Sequence, residues 1–293
     1  LGAKKTIARV KNHNHLQKRE KKHLNELGID ELISTEMLAS REIGRLLSSI
    51  AITDIFHFED GKLTLLGILV DEKCTLLGKT LKETAHLNPE NDFITVAILR
   101  GNETIIPHGD TLFEQDDHAY FIATPTGVNR VMALRKEEVV KIKNVMILGA
   151  SNIGSKTARD LCNHGFKIKL IEKSKDKAFD IADAIPDCLV IHGDGRDVDL
   201  LDEEQICDMD AFIAVTGNSE TNIMSCLVAK SKGVKKTIAL VENMDYFQLS
   251  HSIGIDTLIN KKLLAANNIF RYIRQGEIVA MTKLNNMNAE ILE

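Results

Sequence analysis

The feature that most constrains this chain is a repeat. GAKKTIARV at 2–10 matches GVKKTIALV at 233–241, and LGIDELIS at 27–34 matches IGIDTLIN at 253–260. The offsets are 231 and 226, so the first copy carries five extra residues, which fall in the basic NHNHLQKREKK stretch. TEMLASREIGRLLSSIAIT at 35–53 resembles KKLLAANNIFRYIRQGEIVAMT at 261–282, and the final AMTKLNNMNAEILE loosely echoes ITDIFHFEDGKLTLL. A period near 230 residues is too long for a solenoid repeat and implies tandem duplication of a two-part unit. The chain is therefore expected to start partway through one copy and stop partway through the next. Its first residue, Leu1 rather than Met, agrees with a fragment.

Two apolar patterns alternate along the chain. From 143 to 260, short continuous runs (VMILG, FKIKLIE, CLVIHG, AFIAVTG, KTIALV, DTLIN) alternate with helical stretches at Ser155–His164, Lys175–Ala184 and Glu220–Lys232. Such runs mark a parallel sheet covered on both faces, a Rossmann-like doubly wound α/β architecture. From 62 to 125 the strands KLTLLGILV, DFITVAILR, ETIIP and HAYFIAT follow one another with few helical stretches, as in a small α+β module. RVMALRKEEVVKIK at 130–143 reads as the link between the two.

VMILGASNIGSKTARDLCNHGFKIKLIEK places G-A-S-N-I-G at 149–154 directly after a strand, where it opens a helix. Glu172 ends the next strand, 23 residues after Gly149. That is the context in which G-x-G-x-x-G signals dinucleotide binding. Gly149 makes the tight turn and Gly154 lets the helix approach the strand. The amides at the helix start face a phosphate, and Glu172 is placed to accept from an adenosine ribose. Ser151 stands where the second glycine lets the backbone reach the pyrophosphate. Two readings remain open, a degenerate nucleotide site or a purely structural turn.

HGDGRD at 192–197 and TGNSET at 216–221 follow the third and fourth strands of that sheet, at the edge where open α/β sheets bind ligands. Asp194 either reaches an adenine or ribose or belongs to a tight turn capping the helix that starts near Asp197. Thr216 and Gly217 share the same edge, and Ser219 reads as a helix cap.

Composition narrows the function classes. There is no Trp and aromatics are 4%, which disfavours an aromatic-lined sugar or base-stacking site. Residues 1–26 carry a net charge of +6 and the remaining 267 carry −11, so a uniformly basic nucleic-acid binder is excluded. The cations Lys18, Arg19, Lys21 and Lys22 and the nearby His13, His15 and His23 read as solvated surface. The five cysteines Cys74, Cys162, Cys188, Cys207 and Cys226 form no CxxC pair and read as reduced buried thiols of a cytosolic protein. The longest apolar run, LTLLGILV, falls well short of the roughly 18 residues a membrane span requires. His192 and His251 have no Ser/Asp partners that would make either a nucleophile's base.

Taken together, VMILGASNIG, LIEK, LVIHGDGRD, AFIAVTGNSETNIMSCLVAK and KKTIA, with LLGKTLKE at 76–83 and TVAILRGNETIIPHGDTLFEQDDHAYFIA at 95–123, resemble the Trk system potassium uptake regulatory family (TrkA), built of RCK or KTN units. The resemblance covers essentially the whole chain. It implies the end of a first Rossmann-like N-lobe at 1–50, a first C-lobe at 55–139, a second N-lobe at 141–275 and the start of a second C-lobe at 277–293. It implies a regulatory rather than enzymatic chain that binds NAD(H) or ATP/ADP. Such proteins form a homo-oligomer, dimer to tetrameric ring, against an integral-membrane potassium transporter on the cytoplasmic face, and take no nucleic acid.

Carried onto this sequence, the nucleotide site is Gly149, Ala150, Ser151, Asn152, Ile153 and Gly154, with Glu172 on the ribose and Asp194, Thr216 and Gly217 along the edge. In the first copy Arg9 matches a nucleotide-contacting arginine; Leu240 replaces it in the second. With Ser151 for glycine, and Asn152 where some members have Arg or Gln, the second lobe is expected to bind nucleotide weakly. The better site is expected in sequence preceding residue 1. The competing reading is an NAD-dependent oxidoreductase, but no proton-donor constellation is placed at the sheet edge. The stripe Leu264, Asn268, Ile269, Tyr272 and Ile273 packs either on its own sheet or on a neighbouring lobe.

Overall fold

The computed structural model describes residues 3, 5–10, 26–47, 52–58, 62–101, 103–135, 142–243, 246, 254–273, 281–283 and 290–292. The expectations placed on 11–25, on His251 and on most of 277–293 lie outside these residues.

Along the chain the described strands and helices begin with β1 (Ile7–Arg9), β2 (Glu31–Ile33) and α1 (Thr35–Leu46). They continue with β3 (Ile52–Phe58), β4 (Leu63–Val70), β5 (Phe93–Arg100), β6 (Glu103–Ile105), β7 (Asp117–Ala123) and α2 (Pro125–Ala133). Then come β8 (Asn144–Leu148), α3 (Asn152–Asn163), β9 (Lys167–Glu172), α4 (Lys175–Ala184), β10 (Cys188–His192) and α5 (Val198–Glu203). The last are β11 (Ala211–Ala214), α6 (Ser219–Ser231), β12 (Lys236–Leu240), β13 (Thr257–Ile259), α7 (Lys261–Ile273), β14 (Met281–Lys283) and β15 (Glu290–Leu292). The chain forms two compact units, Leu1–Gly44 with Ile142–Glu277 and Arg45–Lys141 with Ile278–Glu293.

In the first unit six strands pair in the order β10-β9-β8-β11-β12-β13, every pairing parallel. The order reverses between β8 and β11, so their carboxyl ends form the switch point at which open α/β sheets bind ligands. The strands at the centre are buried on both faces: Val145, Met146, Ile147, Phe212, Ile213 and Ile238 are all at 0% exposure. This explains the unbroken apolar runs. Each such side chain contributes about 1.5–3 kcal/mol when removed from water.

β1 and β2 form a separate two-stranded parallel sheet in the same unit. Its register, Ile7↔Glu31, Ala8↔Leu32 and Arg9↔Ile33, is the register of β12 on β13: Ile238↔Thr257, Ala239↔Leu258 and Leu240↔Ile259. The equivalent positions are separated by the two offsets read from the sequence. The polar staple repeats as well. The Thr6 amide and hydroxyl donate to Asp30 Oδ2 at 2.6 and 2.9 Å, and those of Thr237 donate to Asp256 Oδ2 at 2.8 Å each. Val10 N donates to Ile33 O at 3.0 Å, as Val241 N does to Ile259 O at 2.8 Å.

The second unit is built on a five-stranded sheet, β3-β4-β7-β5-β6, with antiparallel pairings throughout. On one face Leu66, Ile68, Ile98, Ala119 and Phe121 pack with Val131 and Leu134 at the end of α2. Phe93 meets Phe121 edge-on, with centroids 5.7 Å apart. Asp117, fully buried, takes Arg100 Nε and Nη2 at 2.8 Å each and the Glu114 amide at 2.8 Å, so the charge is satisfied on both oxygens. Two elements here differ from the sequence reading. β3 was not foreseen, and residues 130–133, expected in the linker, belong to α2.

Candidate nucleotide-binding site

The site begins where β8 turns into α3. Gly149 has φ +100°, and a Cβ there would stand 3.0 Å from the Thr216 methyl and 3.1 Å from the Thr216 amide nitrogen. Gly154 is more tightly constrained: a Cβ would lie 2.0 Å from Gly149 O and 3.1 Å from a Val215 methyl. Only glycine lets the first turn of α3 sit this close to the strand end. The helix starts at Asn152, three residues earlier than the sequence reading placed it, because Ser151 caps it. Ser151 Oγ accepts from Gly154 N at 3.3 Å and donates to Val215 O at 2.7 Å.

The hydroxyl thus satisfies one of the free donors of the helix N-terminus and ties the turn to the strand end after β11. Ser155 N is taken by Ser151 O at 2.8 Å. The amides of Asn152 and Ile153 precede the first intrahelical bond, and they carry the positive end of the helix dipole.

Glu172 ends β9 and turns its carboxylate back on the glycine turn. Oε2 accepts from Ala150 N and Oε1 from Ser174 N, both at 2.8 Å. Asp194, in the turn after β10, is held by two cations. Arg196 Nη2 lies 2.7 Å and Lys173 Nζ 3.0 Å from Oδ2. The Arg196 guanidinium, and after it the Lys173 ammonium, hold the Asp194 carboxyl well below the usual carboxylate range. The cap of α5 is Asp197, accepting from Asp199 N at 3.1 Å, while Asp194 Oδ1 accepts from Arg196 N at 3.2 Å within the turn. Gly195 is pressed on Leu148, with a Cβ 2.2 Å from a Leu148 methyl.

On the other side of the switch point Thr216 and Gly217 follow β11, and space beside Gly217 is open. Asn218, not Ser219, caps α6, accepting from Thr221 N at 2.6 Å. Ser219 Oγ instead accepts from Glu242 N at 3.0 Å. Sequence reasoning missed Asn222. Buried at 1% exposure, it accepts from Thr216 N at 2.9 Å and Thr216 Oγ1 at 2.6 Å, and donates to Leu240 O at 2.8 Å. It therefore fixes Thr216 against Gly149 and joins the ends of β11 and β12. The available signal was an amide on the same helical face as Ile223 and Cys226.

Arg9 is not part of this cluster. It ends β1 on the two-stranded sheet, is 60% exposed and lies 3.8 Å from Glu36 Oε1. Among the described residues no group of three or more His, Cys, Asp or Glu is arranged to hold a metal ion, and no helix is long and apolar enough to cross a membrane.

Residues 145–261 match the TrkA-N domain family and residues 65–136 the TrkA-C domain family. A Trk system potassium uptake protein trkA homolog from Methanosarcina mazei is 30% identical over 290 residues, covering 99% of this chain and 70% of the relative. The chain belongs to the TrkA family. Another relative, the Trk system potassium uptake protein TrkA of Azorhizobium caulinodans, is 29% identical over 98% of this chain. The chain spans 64% of that TrkA relative's length. Among solved structures, the GsuK RCK domain superposes with a TM-score of 0.63 at 19% identity, over 93% of this chain and 57% of that one. A structure described as the GsuK channel bound to NAD gives 0.62 at 18% identity, over 95% and 50%. At these identities the likeness is one of fold, and it places this TrkA chain among RCK-type architectures.

Proposed function

We propose that this chain is part of a nucleotide-responsive regulatory subunit of a membrane potassium-uptake transporter. The observation that carries the reading is the Gly149–Gly154 turn, set at the switch point of a parallel sheet, in a chain matched along nearly its whole length by Trk system proteins. In this reading residues 1–50 complete a first N-lobe, 55–139 form a first C-lobe, 141–275 a second N-lobe and 277–293 open a second C-lobe. The repeated register of β1–β2 and β12–β13 supports that division. The assembly is a cytoplasmic ring or dimer on the inner face of the membrane, its partner the transporter.

The ligand is an adenine nucleotide, NAD(H) or ATP/ADP; the NAD-bound GsuK channel, similar in fold, supports the class. The Asn152 and Ile153 amides face its phosphates, Ala150 and Ser151 line the turn, Glu172 faces the ribose, and Asp194, Thr216 and Gly217 bound the edge. Arg9 serves the corresponding position of the first lobe. Ligand binding acts by favouring one arrangement of the assembly, and its leverage is limited to its difference in affinity for the two arrangements. Because Ser151 already occupies the Gly154 amide, this lobe binds weakly.

Thermal-shift titration of this chain with NAD, NADH, ATP and ADP tests the reading. A saturable rise in melting temperature at millimolar nucleotide supports it, and no shift with any of the four overturns it.

A further inference from the structure

Cys162 lies in the last turn of α3, and Cys188 opens β10. The helix packs against β10 at the amino edge of the sheet, opposite the glycine turn. Cys162 Sγ donates to Asp187 O at 3.7 Å, the carbonyl immediately preceding Cys188, which holds the Cys162 side chain beside the start of β10. Cys188 is 7% exposed, while Cys162 is half-buried. The remaining thiols are placed differently. Cys74 and Cys226 sit in two separate cores, and Cys207 is exposed in the turn at Ile206–Asp208.

We infer that Cys162 and Cys188 form a dithiol site that is oxidised to an intramolecular disulfide by small-molecule disulfides. The two cysteines stand on elements that pack together, with Cys162 Sγ held against the peptide unit that leads into Cys188, so both lie at one place in the fold as such a bond requires. Burial raises both above the ordinary thiol range, and the neighbouring thiol adds to the rise at Cys188, which is pushed up to about 12. The Asp187 carboxylate also disfavours the Cys162 thiolate.

Cys162, less buried, is thus the attacking group. Its thiolate attacks one sulfur of the small disulfide RSSR, breaking that S–S bond and releasing RS⁻, which takes up a proton. Cys188, losing its proton as it reacts, then attacks Cys162 Sγ in the mixed disulfide and expels the second RSH. Two protein thiols are oxidised, and one RSSR becomes two RSH. The new bond ties the base of α3 to the base of β10 and leaves the carboxyl edge of the sheet open.

The test uses the full chain carrying Cys207→Ser, which removes the exposed thiol, incubated at pH 8 with excess oxidised glutathione. The expected result is loss of two titratable thiols, a mass lower by two hydrogens, and a Cys162–Cys188 linked peptide on proteolysis that reducing agent abolishes. Added Cys188→Ser traps glutathione on Cys162 as a stable mixed disulfide, and added Cys162→Ser gives neither product. Circular dichroism shows that each variant is folded. A wild-type pair that stays reduced overturns the inference, as does one that holds a lasting glutathione adduct on Cys162 without closing.

Discussion

The two strand pairs β1–β2 and β12–β13 share their register and their Thr–Asp staple, yet the residues at corresponding strand ends are unlike. Arg9 is exposed and faces Glu36, whereas its counterpart Leu240 is 4% exposed and its carbonyl is held by Asn222. The partner position changes in step: Glu36, 226 residues before Lys262, has no acidic equivalent in the second copy. The helices diverge too. α1 buries Ala39, Ser40 and Ile43 at 3% exposure or less, with Ser40 Oγ donating to Asp160 of α3 at 3.2 Å, while α7 leaves Phe270 50% exposed. The hydrogen bonds that set strand against strand are common to the two pairs, whereas the side chain at the strand end is exposed in one and buried in the other.

The largest effect is expected at Asn222, which the second strand pair uses to hold its Leu240 end. Asn222→Ala leaves the Thr216 amide and the Leu240 carbonyl without their partner inside the protein, and is expected to lower unfolding free energy by about 3 kcal/mol in urea denaturation. Writing the first copy's residue into the second is the next largest effect. Leu240→Arg forces a cation into a buried strand end and is expected to destabilise by about 2 kcal/mol, where Arg9→Leu changes stability by less than about 0.5 kcal/mol. Removing the shared staple sharpens the contrast. Thr237, at 0% exposure, loses about 1.5 kcal/mol on change to Val, and the half-buried Thr6 about 0.5 kcal/mol, read from the same denaturation midpoints.

The smallest effect is the pH dependence that Glu36 contributes in the first copy. Burial raises the Glu36 pKa, but hydrogen bonds from its own amide, Thr35 and Ser34, with the Arg9 charge, outweigh it and leave the carboxyl below its ordinary value. A lowered acid stabilises the fold above its unfolded pKa of about 4.3, and that contribution fades as pH falls through the folded value. The stability gap between the native chain and Glu36→Gln is therefore expected to narrow between about pH 6 and pH 3, as measured by chemical denaturation at each pH.

Where partners are local, the sequence reading and the structure agree. Lys175–Ala184 is the helix read from its pattern, and the 231 and 226 offsets reappear as strand registers. The misses at β3 and α2 have causes outside the segments themselves. A register shift between Ile52 and Asp54 interrupts the alternation that would have marked β3. Thr124 caps α2, and Gly127 is there because a Cβ would lie 2.0 Å from Asp92 O, a neighbour 35 residues away in sequence. At the site, the glycines and Glu172 were legible from spacing. That Ser151 caps its own helix, that Glu172 folds back on Ala150, and that Asn222 holds Thr216 depend on contacts no motif states.

In the proposed function, the Gly149–Gly154 turn holds nucleotide weakly because the Ser151 hydroxyl takes the Gly154 amide. Ser151→Gly removes that hydroxyl at a stability cost of only a few tenths of a kcal/mol for the helix cap. Calorimetric titration of NAD into the native chain and into Ser151→Gly measures the consequence directly. Weak binding by the native chain is expected, with at least about tenfold tighter binding by the variant, a gain of about 1.4 kcal/mol. Absence of heat with both proteins, or equal affinity for both, would contradict it.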